Sequence, residues 1–255
     1  MNNYSNRSMD IGYYKLESDS QLFNKQVYNA KISRFIISDT TLHEYHEFES
    51  ELYKKGVELL GLRIPQSDLK AINFFENHGY QYIEASYRPF LILKDIAHLN
   101  TQEKFLLKEA NIGDSIRIAE AAGAIFSFGR YHQDPNVEDK LANIRYYNWV
   151  MNAFDNECQS ILKCVSTKTD DILAFFIVEY PEPSECFLSL VGLMPNYIGK
   201  RLSKFVWGAL LAYLKDCGVK KISTSISSHN TLVFNLYISL GFTFPEPEIT
   251  LHKWF

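Results

Sequence analysis

Cysteine is scarce in this chain. Its four cysteines, Cys158, Cys164, Cys186 and Cys217, fall at spacings that match neither a zinc site nor a thioredoxin-type pair. They read as buried or indifferent thiols of a reducing compartment. No other residues carry metal-ligand spacing, so no metal is expected. Long apolar runs are missing as well: none approaches the ~20 residues that span a bilayer. The first residues, Met-Asn-Asn-Tyr-Ser-Asn-Arg, contain no apolar signal core. A cytoplasmic protein with no membrane partner is expected. Nor is there an excess of positive charge. Twenty-six Lys+Arg against 30 Asp+Glu leave a net charge of −4, which gives no general attraction to a phosphate backbone and disfavours nucleic acid as a partner.

What is present is ordinary globular composition, 46% hydrophobic and 22% charged over 255 residues, which excludes a disordered tail or a fibre. At ~100–200 residues per domain, this is one large domain or two small ones. Aromatic content is high at 15%, with 16 Tyr and 18 Phe. Most aromatics fill cores, but a surplus suits a groove for a flat or ringed ligand.

Strands are expected over Gly12–Leu16 and Gln26–Ile37, then a helix from Thr40 to about Lys55 with Leu42, Tyr45, Phe48, Leu52 and Tyr53 on one face. Val57–Ile64 reads as a strand ended by Pro65. Ser67-Asp68 opens a helix with Leu69, Ile72, Phe74 and Phe75 at helical spacing, stopped by Gly79. Tyr80–Leu93 reads as one long strand. The patternless stretch 94–104 is the expected domain boundary, dividing 1–100 from 101–255. Beyond it, helices are expected over Asp114–Ala124, Glu138–Phe154, Leu202–Cys217 and Thr231–Leu240, with Arg130–Val137 as a loop. Strands are expected over Ser160–Val165, Leu173–Tyr180, Cys186–Val191, Lys220–Ser225 and Ile249–Phe255. Alternation of strand and helix argues for an α/β fold with a mostly central sheet.

Two segments carry chemistry. In Leu193-Met-Pro-Asn-Tyr-Ile-Gly199-Lys200-Arg201-Leu-Ser203, a strand runs through a short loop into an amphipathic helix. The first N–H groups of that helix lack internal partners, and the dipole favours an anion there, so the loop suits a pyrophosphate, with Lys200 and Arg201 adding positive charge. In the second segment, Asn230, Asn235 and Tyr237 precede Gly241-Phe242. Together, Pro195-x-Tyr-x-Gly-Lys, Asn230 and Leu236-Tyr-x-x-Leu-Gly-Phe resemble the acyl-CoA motifs of the GCN5-related N-acetyltransferases. The resemblance implies an α/β fold with a central, mostly antiparallel mixed sheet flanked by helices. It implies acetyl-CoA as cosubstrate, held by Leu193, Gly199, Lys200, Arg201, Ser203, Asn230 and Asn235. It also implies that Tyr237 protonates the departing thiolate. The loop departs from the family pattern Arg/Gln-x-x-Gly-x-Gly: Arg201 and Ser203 stand in place of both glycines.

The stretch Phe126-x-x-x-Arg130-Tyr131…Asp134-Pro135, then Tyr146-x-x-Trp149, is similar to the dTDP-fucosamine acetyltransferase group of nucleotide-sugar N-acetyltransferases. So is Ser18-Asp19-Ser20-Gln-Leu-Phe23-Asn24, though relatives carry Trp before the Asp and Gly at the end. The likeness implies a dTDP-linked amino-6-deoxyhexose as acceptor, in surface-polysaccharide synthesis, contacted by Arg130, Tyr131, Asp134, Arg145 and Trp149. Candidates for the base are Glu179, His132 and Asp134, with a water chain equally open; His229 reads as a surface neighbour. A peptide amino terminus or a polyamine is the alternative acceptor, and a non-catalytic acyl-CoA sensor the alternative class. Monomer and homodimer both stay open.

An internal echo accompanies this. Superposing Gly79-Tyr80 on Gly241-Phe242 puts Asp68 on Asn230, Asn73 on Asn235 and Phe75 on Tyr237. The first half then reads as a smaller, degenerate copy of the second, with Phe at the position of the proposed acid.

Overall fold

The computed structural model describes residues 2–93 and 105–255. The expected boundary at 100/101 lies outside the described residues. The first half runs β1 (Asn2–Ser5), β2 (Met9–Lys15), α1 (Glu17–Phe23), β3 (Val27–Phe35), α2 (Thr41–Lys54), β4 (Leu59–Pro65), α3 (Leu69–Asn77), β5 (Gln81–Tyr87) and β6 (Phe90–Ile92). The second runs β7 (Phe105–Glu109), α4 (Ser115–Ile125), α5 (Arg130–Gln133), α6 (Asp139–Phe154), β8 (Gln159–Ser166), β9 (Ile172–Glu182), β10 (Glu185–Leu193), α7 (Ser203–Asp216), β11 (Lys221–Thr224), β12 (Ile226–Ser227), α8 (Thr231–Ser239) and β13 (Glu248–Trp254). Two mixed sheets result, β1-β2-β3-β4-β13-β5-β12 and β6-β11-β10-β9-β8-β7.

Each sheet has one parallel pair, β3 with β4 and β10 with β11, and is otherwise antiparallel. Next to each parallel pair lies an antiparallel strand from the other half: β13 beside β4, and β6 beside β11. The halves therefore exchange strands. The expected long strand over 80–93 is interrupted at Arg88-Pro89, and its two pieces serve different sheets. Proline lacks the N–H a ladder needs, and at that point the chain crosses over. Its partner crosses with it: Lys221–Ser223 pairs with Ile92–Phe90, Thr224 N–H bonds Pro89 O at 3.1 Å, and Ile226-Ser227 pairs with Tyr87-Ser86. One antiparallel ribbon thus ties the sheets together.

The echo is visible in backbone geometry. Asp68 caps α3 at φ −85°, ψ 65°, accepting from Ala71 N–H, and Asn230 caps α8 at φ −85°, ψ 67°, accepting from Val233 N–H. Gly79 and Gly241 follow at φ +86° and +87°, left-handed values that favour glycine. Phe75 lies 5.1 Å from Tyr80, and Tyr237 lies 4.9 Å from Phe242.

The core of the first half buries Tyr45, Phe48 and Leu52 of α2 against the sheet. Leu42 and Tyr53, expected on the same face, are exposed at 50% and 62%, because Thr41 and Glu44 take the buried positions of that turn instead. Leu69 of α3 is exposed too. Arg130–Gln133, expected as loop, is a short helix, and α1 and β1 were not foreseen from the pattern.

Candidate active site

The strands β10 and β11 run in parallel register only as far as Leu188 opposite Thr224. At Ser225 the ribbon turns toward the first sheet, while β10 continues beside β9 to Leu193. A wedge opens between them. Thr224 closes its apex by donating its hydroxyl to Leu188 O at 2.9 Å. The β10 ladder shifts register at Ser189, and Met194 N–H returns to Leu173 O at 2.8 Å. Alternation along an antiparallel pair then turns the N–H groups of Val191 and Leu193 away from β9, toward the wedge.

From Leu193 the chain passes through a 3-10 turn, Pro195–Tyr197, into α7. No side chain caps α7. Among the described residues, the N–H groups of Arg201, Leu202, Ser203 and Lys204 have no hydrogen-bond partner. Four consecutive free amides at a helix start, beside Lys200, Arg201 and Lys204, form an anion cradle. Gly199 adopts φ +78° and Arg201 φ +59°. Arg201 therefore takes the backbone conformation of a glycine, although its side chain departs from the glycine pattern. A left-handed non-glycine residue costs about 1–2 kcal/mol, a strain stored in the cradle itself.

Tyr237 of α8 is 3% exposed and packs edge-on to Trp207 at 5.2 Å. Burial pushes its hydroxyl up to about 12, against a lowering contact from Thr224 at the wedge apex, so it is a protonated donor at neutral pH. Asn230 spends its Oδ1 on the α8 cap, at 3.2 Å from Val233 N. Asn235 is exposed on the same helix. The matching place in the first half is closed by aromatic packing, with Phe35 5.1 Å from Phe74 and 5.7 Å from Phe75.

The predicted acceptor residues divide into two groups. Arg145 and Trp149 of α6 line a pocket of about 310 Å³ with Asp19, Asn148 and Asn152. The Arg145 guanidinium lies 5.0 Å from the Trp149 ring and bonds Asp19 Oδ1 through Nε at 2.8 Å. Arg130, Tyr131 and Asp134 instead join the halves. Arg130 donates to Asn29 Oδ1 at 3.1 Å and to Asp19 Oδ2 at 3.3 Å. Its guanidinium rests over Gly61, whose hypothetical Cβ would sit 3.5 Å from Nη1 and 3.2 Å from Asn29 Oδ1. Tyr131 is 3% exposed and donates to Asp19 Oδ2 at 2.8 Å. Burial pushes the Asp19 pKa up, but Arg145 and Arg130 outweigh it and hold the carboxyl below the usual range.

Asp134 is enclosed, and both its oxygens are taken. Oδ1 accepts from Asn136, and Oδ2 from His252 Nδ1 at 2.6 Å and Trp254 Nε1 at 3.0 Å. Asp134 thereby fastens α5 to β13. His132 bonds Asn143 Oδ1 at 2.8 Å, and Glu179 accepts from Gln159 at 2.7 Å. Asp19 stands in a motif noted in the sequence, but its partners lie over a hundred residues away, so no local pattern gave its role. No cluster of three metal-ligating side chains occurs among the described residues, and no helix there is long and apolar enough to cross a membrane.

No family model matches the chain. The fold is that of the GCN5-related N-acetyltransferases, in a two-half arrangement. A tandem GNAT protein from the clavulanic acid biosynthesis pathway superposes with a TM-score of 0.58 at 12% identity, over 89% of this chain and 75% of that one. A GCN5-related N-acetyltransferase from Sphaerobacter thermophilus superposes at 0.63 with 13% identity, over 97% and 76%. In sequence the chain is similar to the spore coat polysaccharide biosynthesis protein SpsD of Bacillus subtilis, 21% identical over 236 residues, covering 92% of this chain and 80% of the relative.

Proposed function

We propose that the protein transfers acetyl from acetyl-CoA to the amine of a dTDP-linked amino-6-deoxyhexose, with the amine at C3 or C4, in surface-polysaccharide synthesis. The observation that carries the acetyl-CoA part is the wedge: an open β10 edge leads from a buried tyrosine to four free amides at the start of α7. On this reading, the pyrophosphate of CoA binds the amides of Arg201–Lys204 and the side chains of Lys200 and Arg201. The thioester lies along β10, where an N–H such as that of Leu193 faces the developing oxyanion. Tyr237 gives its proton to the leaving thiolate. The nucleotide sugar occupies the pocket between α1 and α6, with Arg145 toward the diphosphate and Trp149 against a ring. The motif likeness around Arg130–Trp149 supports the nucleotide sugar, as does the relative's place in polysaccharide biosynthesis.

The test is release of free thiol from acetyl-CoA against a panel of dTDP-linked 3-amino and 4-amino sugars, with spermidine and a peptide amine as comparisons. Thiol release is expected with one amino sugar. Release only with spermidine or the peptide refutes the sugar acceptor, and release with none refutes the enzyme.

A further inference from the structure

The face of the first sheet turned toward the second half carries a row of polar side chains aligned by strand register. Arg63 on β4 stands opposite Thr250 on β13, and Thr250 stands opposite Glu84 on β5. Register partners project to one face, and neighbouring strands are about 4.8 Å apart. Thr250 is 0% exposed and Glu84 7%. Thr250 Oγ1 and Arg63 Nε are both buried without a hydrogen-bond partner. Glu84 joins no ion pair among the described residues. The rest of this face is satisfied: Lys31 pairs with Glu248, Asn29 accepts from Arg130, and His252 bonds Asp134. Unpaired buried polar groups are costly and rare. Their concentration in one row, between satisfied neighbours, marks a place built for a polar group from outside the chain.

The row reaches the wedge. Ser227, three residues beyond the Thr224 apex, pairs with Ser86, two residues along β5 from Glu84, and lowers the Glu84 pKa. Side chains alternate along an extended strand. Ile226 packs into the core with Tyr237, so Ser227 faces the other way, toward Glu84. Tyr237 and Glu84 thus lie on opposite faces of the ribbon that starts at the wedge apex.

We infer that Glu84, supplied by the first half, takes the proton of the acceptor's ammonium, while Arg63 and Thr250 hold oxygen functions of the same acceptor. This rests on the acetyltransferase reading and adds the acceptor class: an amine bearing a hydroxyl or anionic oxygen within about two strand spacings, ~10 Å. The ammonium passes one proton to Glu84. The neutral amine attacks the thioester carbonyl, the C–N bond forms and the C–S bond breaks. The second nitrogen proton replaces the one Tyr237 gives to the thiolate, and Glu84 later releases its own to water. Arg63 of β4, Arg130 of α5, His229 of the loop before α8 and Tyr146 of α6 are the charged or titratable groups around the carboxyl. Burial raises its pKa, and Ser227, Arg130, Arg63 and His229 oppose the rise.

The experiment follows kcat/KM from pH 5.5 to 9.5 with acetyl-CoA and the dTDP-amino sugar panel. Glu84→Gln is expected to lower it ~10²–10⁴-fold at pH 7 and to move the acidic limb to the higher pH at which free amine accumulates, with CoA affinity unchanged. Ser227→Ala removes a polar neighbour that favours the carboxylate and is expected to move the wild-type acidic limb to higher pH, a readout that survives if Glu84→Gln fails to fold. An active wild type whose profile neither substitution changes overturns Glu84 alone. A wild type inert toward every amine overturns the acetyltransferase reading and the base with it.

Discussion

Asp19→Ala is expected to damage the join between the halves more than any single exposed ion pair does. The Asp19 side chain is 8% exposed and serves Arg130, Arg145 and Tyr131 at once. Removing it leaves the Arg130 side chain, 10% exposed, without its carboxylate, and that of Arg145, 21% exposed, only partly able to rehydrate. Breaking a buried pair from one side costs about 3–5 kcal/mol. At ~2–4 °C per kcal/mol for a chain of this size, melting should fall by roughly 6–20 °C. The pH dependence has a definite sign. The folded pKa of Asp19 lies below its unfolded value of ~3.9. The carboxylate therefore contributes fully above pH ~4 and loses its contribution as pH falls through the folded value. Urea denaturation of both proteins at pH 7 and at pH 3 measures this: the gap should be wider at the first than at the second. Lys108→Ala, which breaks the exposed pair with Asp170, is the control and should leave the midpoint nearly unmoved. A loss below about 1 kcal/mol at pH 7 for Asp19→Ala would refute the buried-pair argument.

Three further outcomes are expected. Tyr237→Phe should melt normally, because Phe75 already occupies the echoed position, keep CoA affinity, and lower kcat by ~10²-fold; wild-type turnover with chemistry rate-limiting would move the proton donor to water. Arg201→Gly should relieve the left-handed strain and raise melting slightly while calorimetry shows weaker CoA binding; unchanged affinity would remove the side chain from the phosphate site. His252 is held below its ordinary pKa by burial and by Arg130 and Arg63, against Asp134. The unfolded chain thus binds the proton more readily, and stability should decline as pH drops below ~6.5. In His252→Gln the urea midpoint should vary less between pH 7 and 5, and an undiminished slope would place the titration elsewhere.

Much of the fold was legible in local pattern because it is locally determined. The capped helices α3 and α8, the glycines that end them, and the amphipathic α2 and α7 depend on neighbours a few residues away. The anion cradle was legible for the same reason, since free amides at a helix start follow from chain order alone. The place of Tyr237 on α8 was legible from its spacing to Gly241-Phe242. The partners of Arg130, Tyr131 and Asp134, namely Asp19, Asn29 and His252, come from distant segments, and only packing reveals that these residues join the halves. The strand exchange was invisible for a related reason: β6 and β13 carry ordinary strand patterns, and nothing in an alternating sequence specifies which sheet receives it. Arg63, Thr250 and Glu84 are three unremarkable polar positions in three strands. Only the tertiary register sets them side by side and buries them together, leaving Thr250 Oγ1 and Arg63 Nε without hydrogen-bond partners.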